Sequence, residues 1–111
     1  MAATFYIKQN DTAPSIEVIL TDSAGKAKSL ANVANVKFNM QDENGNLVVD
    51  HGTGYTTTPA ARGIVGYVWQ NGDTANEGLH KAEFVITYTN DQVETFPNTG
   101  YINVIVKGDL A

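Results

Sequence analysis

Leu79-His80-Lys81-Ala82-Glu83-Phe84-Val85-Ile86-Thr87-Tyr88-Thr89 decides the fold. Ala82, Phe84, Ile86 and Tyr88 fall on one phase of a two-residue period, and Lys81, Glu83, Val85 and Thr87 on the other. Only an extended chain puts those two sets on opposite faces. One dry and one wet face predict a strand of an antiparallel sheet.

The same period runs outward from this stretch. Asn90-Asp91 supplies a turn, and residues 93–96 return until Pro97, which cannot donate to a strand ladder, stops them. Ile102, Val104 and Val106 alternate with Tyr101, Asn103 and Ile105 in a last strand. Upstream, residues 63–70 carry Val65, Tyr67 and Trp69 on one face, and Asn71-Gly72-Asp73 closes them. Residues 55–58 form a short strand ending before Pro59. Val36, Phe38 and Met40 belong to a strand that Asn44-Gly45 reverses onto Leu47-Val48-Val49, since Asn-Gly favours hairpin geometry. Ile16, Val18 and Leu20 form a second strand after Pro14, followed by an Asp22-Ser23-Ala24-Gly25 turn. Phe5, Ile7 and Gln9 mark the first strand. Residues 26–35 are too short and too rich in asparagine for a helix, so Leu30 is expected to plug the core from a loop.

Many short strands at this spacing, each with one dry face, predict an all-β domain spanning 1–111: two antiparallel sheets packed as an immunoglobulin-like β-sandwich. A chain of 111 residues fits one such domain. The sequence holds no cysteine, so the sandwich has no disulfide and lacks the cysteine pair that brackets the tryptophan of an immunoglobulin domain proper. Trp69 and Phe84 are expected to meet in the core.

The formal charge of −5, with seven scattered basic residues, excludes the clustered Lys and Arg that nucleic acid requires. No apolar run is long enough to cross a membrane as a helix. The opening Met1-Ala2-Ala3-Thr4-Phe5 has neither the basic start nor the apolar core of a secretory leader, so Asn10-Asp11-Thr12 is expected to be a chance sequon.

The chemistry-bearing residues each admit a simpler reading. Asp42-Glu43-Asn44-Gly45-Asn46 resembles the start of a calcium loop, but Leu47 and Thr53 stand where its glycine and its bidentate glutamate belong. His51 and His80 are the only imidazoles, too few for a zinc site, and are expected at the surface or on strand edges. Ser15, Ser23 and Ser29 lie in no nucleophile elbow. Glu17, Glu83 and Glu94 are expected to point to solvent rather than to face each other across a cleft as a hydrolase would need. No catalytic, cofactor-binding or metal-binding residue is assigned, no cofactor is expected, and the chain is expected not to be an enzyme. Tyr6, Tyr55 and Tyr101 are candidates for an exposed aromatic platform, with cross-strand pairing as the simpler reading.

The order of these pieces resembles a known family. Residues 5–14, Phe5-Tyr6-Ile7-Lys8-Gln9-Asn10-Asp11-Thr12-Ala13-Pro14, are similar to the opening of the N-terminal domain of upper baseplate proteins from tailed bacteriophages. The resemblance continues through Leu30, Val36-Lys37-Phe38, residues 63–69, Asp73-Thr74, Gly78, Ala82-Glu83-Phe84 and Glu94-Thr95-Phe96-Pro97. It implies a non-enzymatic, immunoglobulin-like protein–protein attachment module in a phage virion, serving the tail or baseplate, the neck, or the head as a capsid decoration. Its partners would be other virion proteins and further copies of itself, and it would be made in the host cytoplasm. The chain stops at Ala111, just after the last strand, so the resemblance implies the anchor without a receptor-binding arm. A carbohydrate-binding or adhesion β-sandwich module is the alternative.

Overall fold

The computed structural model describes residues 4–22 and 24–110. Met1, Ala2 and Ala3, on which the leader reading rests, and Ser23, with its turn and nucleophile readings, lie outside the described residues. Among the described residues nine strands follow in chain order: β1 (Thr4–Lys8), β2 (Ile16–Ile19), β3 (Val33–Gln41), β4 (Leu47–Thr53), β5 (Tyr55–Thr56), β6 (Ile64–Tyr67), β7 (Gly78–Tyr88), β8 (Val93–Phe96) and β9 (Ile102–Lys107). A 3-10 turn, Ala60–Arg62, precedes β6.

The strands form two sheets. The larger runs β1-β9-β7-β3-β4, with β8 also paired to β7, and the smaller runs β2-β6-β5. β2-β6-β5 matches the B-E-D strands of an immunoglobulin sandwich and β4-β3-β7-β9 its C′-C-F-G strands, while β1 joins the large sheet beside β9. The match to the expected antiparallel plan has one exception. β1 pairs with β9 in parallel, from Thr4 opposite Asn103 to Lys8 opposite Lys107, so the large sheet is mixed. Alternation cannot reveal this, because it fixes which way a side chain points and not which strand lies alongside.

The turns carry the local chemistry read from the sequence. At the β3–β4 connection Gly45 adopts φ 84°, its amide donates to the Asp42 carbonyl, and the Asp42 carboxylate accepts from the amides of Asn44 and Asn46 at 2.9 and 3.0 Å. This is a three-residue hairpin closed by a left-handed glycine rather than a two-residue Asn-Gly turn. The β7–β8 hairpin repeats the pattern with Asp91 in the left-handed position.

β7 sits at the centre of the large sheet. Phe84 faces Phe96 and Ala82 faces Ile102, so two residues along β7 are matched by six on the returning chain. The return strand is therefore interrupted between Phe96 and Ile102, and β8 and β9 are its two halves.

The inner faces supply one core. Val36, Phe38 and Met40 of β3, Ala82, Phe84 and Ile86 of β7, and Val104 and Val106 of β9 meet Ile16 of β2 and Val65 and Tyr67 of β6. Leu30 plugs it from the loop before β3, as expected. Phe38 is the hub: its ring stacks on Tyr67 at 4.6 Å, tilts against Phe84 at 4.9 Å, and meets Trp69 edge-on at 5.7 Å. Each such side chain, fully buried, contributes roughly 1.5–3 kcal/mol of apolar transfer free energy. Trp69 and Phe84 thus share the core. Trp69 lies just beyond β6, however, whereas the tryptophan of an immunoglobulin domain stands on the third strand, which here carries Phe38.

Candidate functional site

Two sequence expectations fail at specific residues. His80 is not at the surface: it is 2% exposed, opposite Val104, with Nδ1 3.2 Å from the Gly78 carbonyl and Nε2 without a partner. It lies on the same phase as Ala82 and Phe84, and that phase was the available signal. Glu94 does not point to solvent. It pairs with Ile86 and shares the inward phase of Phe96, with its side chain 29% exposed.

Around Glu94 the chain builds its most organised polar cluster. Lys28, from the loop before β3, donates to Oε1 at 2.7 Å, and the Tyr88 hydroxyl donates to the same oxygen at 2.8 Å. Asn98 approaches Oε2 at 3.4 Å. Lys28 also lies over the Tyr88 and Phe96 rings, with Nζ 5.8 and 5.5 Å from their centroids. Burial alone would raise the Glu94 carboxyl, but the donors, Lys28 first, outweigh it and hold the pKa below the ordinary value. The hydrogen bond to Glu94 raises Lys28 above its ordinary value against the opposing effect of burial. Burial, then Glu94, raises Tyr88.

An open groove of about 550 Å³ runs past this cluster, lined by Thr21, Asp22, Lys28, Glu94, Pro97 and Asn98 among others. A carboxylate held ionised by three donors is a poor general acid. No serine or second acid shares its hydrogen bonds. The arrangement clamps the loop before β3 onto β8. A half-exposed pair of this kind contributes about 0–1 kcal/mol.

The remaining candidates do not converge. Glu17 accepts from the Tyr55 hydroxyl at 2.6 Å on the outer face of the small sheet. Glu83 lies on the outer face of the large sheet, where Asn39 donates to it at 3.4 Å. His51 is exposed on a β4 bulge with φ 54°, its Nδ1 2.5 Å from Asp50, in keeping with the expected edge position. Among the described residues no group of three or more His, Asp or Glu side chains is placed to hold a metal ion. The Asp42 carboxylate is committed to its own turn, and the hydrogen bond from the Asn46 amide, foremost, lowers its pKa. Chelator treatment is accordingly expected to leave the thermal midpoint unchanged, and a fall of several degrees in a melt would contradict this account of the loop.

The three tyrosines also divide. Tyr55 lies over Gly66 on the small sheet, where a Cβ on Gly66 would strike its ring. Tyr6 and Tyr101 lie on the opposite side of the sandwich, on the outer face of the large sheet. They form no common platform with Tyr55.

No known protein-family model matches the chain, and no curated protein matches it either. Among solved structures it is similar to the crystal structure of CopC from Methylosinus trichosporium OB3b, with a TM-score of 0.59 and 12% sequence identity over 99% of this chain and 89% of that one. At that identity the likeness concerns the fold.

Proposed function

We propose that this β-sandwich is a non-enzymatic attachment module of a tailed-phage particle, in the tail or baseplate, the neck, or the head as a decoration. It acts through contacts with other virion proteins and with further copies of itself. The observation that carries the reading is the order and spacing of the resembling stretches, from residues 5–14 to Glu94-Thr95-Phe96-Pro97.

A physical link between two of those stretches supports treating them as one pattern. The Thr74 hydroxyl donates to the Asp11 carbonyl at 2.8 Å, and the Asn10 amide donates to the Thr74 carbonyl at 3.0 Å. Asp73 meanwhile accepts from the Tyr67 hydroxyl at 2.6 Å. Residues far apart in sequence thus depend on one another at one end of the sandwich. The role needs no cofactor, and exposed strand edges and sheet faces suit repeated weak contacts strengthened by multivalency.

The test is mass spectrometry of purified particles, with cryo-electron microscopy to locate the copies. The protein is expected in intact virions at stoichiometric amounts. Its absence from them would sink the proposal.

A further inference from the structure

The outer face of the large sheet differs in charge and polarity from the rest of the molecule. Directly paired residues of neighbouring strands share a face, so the register defines this one. Tyr6 of β1 faces Ile105 of β9, which faces Leu79 of β7, an apolar row across three strands. Leu47, Val93 and Tyr101 extend it, and with Tyr6 and Leu79 they are 40–62% exposed.

The charges on this face are Lys8, Lys37, Lys81 and Lys107, against Glu83 and, on the β4 bulge opposite Asn39, Asp50. Four of the seven basic residues therefore lie here, and ten of the twelve acids lie elsewhere. Lys8 stands directly opposite Lys107, a like-charge pairing that costs stability unless something neutralises it. None of the four makes an ion pair among the described residues.

The opposite charge is collected at one end of the same molecule. The loops after β1, β3, β6 and β9 carry Asp11, Asp42, Glu43, Asp73, Glu77 and Asp109, and no lysine or arginine. Contacts tie this end together: Glu43 accepts from the Leu79 amide at 2.8 Å, and Glu77 lies against Gly108. Asp42, Glu43 and Asp73 are engaged internally, whereas Asp11, Glu77 and Asp109 are exposed.

We propose that the outer face of the large sheet docks a second copy of this chain, receiving its acidic loop end. Two sheet faces set against each other would oppose lysine to lysine, which disfavours a two-fold dimer through this face. A contact between two different surfaces repeats head to tail and generates rings or filaments. The proposal deepens the self-association part of the function above by naming its two surfaces, and it is tested independently of the phage setting.

The experiment is a dilution series of the full chain by amide NMR, from about 1 mM downward, a range that reports even millimolar affinity. Amides of Tyr6, Leu79, Lys81 and Ile105 are expected to shift together with those of Glu77 and Asp109. The shifts should shrink in high salt, where the Debye length falls to about 3 Å. The Lys81→Glu/Lys107→Glu variant and the Glu77→Lys/Asp109→Lys variant should each lose the dependence alone, and an equimolar mixture should regain it. Unaltered spectral dispersion checks that each variant is folded, and the wild-type series stands by itself if one is not. No concentration dependence, dependence that survives both variants, or shifts confined to the sheet face would overturn the proposal. Virions lacking the protein would overturn the phage reading and leave this result standing; a concentration-independent spectrum from a protein found in virions would do the reverse.

Discussion

Phe84→Ala is expected to destabilise the protein by about 3–5 kcal/mol. The side chain is wholly buried on the central strand of the large sheet, directly between Phe38 of β3 and Phe96 of β8 in the ladder. β7 is paired along both edges, so its backbone cannot move inward to fill the space the ring leaves. The Phe38 ring, 4.9 Å away, already holds Tyr67 and Trp69. It cannot turn into the gap without breaking those contacts, and an unfilled cavity adds its own cost to the lost transfer energy. Val85→Ala next door is the control, since Val85 lies on the outer face and should cost under about 1 kcal/mol. Urea melts should show the midpoint falling for Phe84→Ala with little change in slope. Equal effects from the two variants would mean that the faces of β7 have been assigned the wrong way round.

That assignment came directly from sequence, because a two-residue period reports which way a side chain points. The same reasoning found the dry faces of β2, β3, β6 and β9 and the plug at Leu30. It failed where the question was which strand lies alongside which. Nothing local in residues 5–9 distinguishes parallel pairing with β9 from antiparallel pairing elsewhere. The solvent expectation for Glu94 rests on alternation with apolar residues, whereas Phe96 two residues on marks its phase as inward. The surface expectation for His80 rests on the number of possible metal ligands, which says nothing of burial, whereas its phase matches Ala82 and Phe84. The lysine-rich face was illegible for a different reason. Lys8, Lys37, Lys81 and Lys107 are scattered along the chain, and only the ladder registers bring them onto one surface.

Raising the pH beyond about 10 is expected to erode stability steeply, with Tyr67 as the largest single contributor. Its ring is buried, and its hydroxyl donates to Asp73 Oδ2 at 2.6 Å. Burial first, then the hydrogen bond and the charge of Asp73, raise the phenol well above its ordinary value. The folded protein therefore keeps a proton that the unfolded chain releases. The associated stability is complete below the unfolded pKa and is lost as the pH climbs towards the folded one, by about 1.4 kcal/mol per pH unit for one group. Tyr55, raised by burial and Glu17, and Tyr88, raised by burial and Glu94, act in the same direction. Denaturant melts across this range should show a plateau followed by a fall. Tyr67→Phe separates the contributions. Near neutrality it should cost about 1–3 kcal/mol, because Asp73 loses a donor and keeps only the Gln70 amide at 2.8 Å. Above about pH 10 the variant should lose stability less steeply than the wild type, by one proton's worth, so the two curves converge. A gap between them that stays constant with pH would show that Tyr67 ionises as readily in the folded protein as in the unfolded chain.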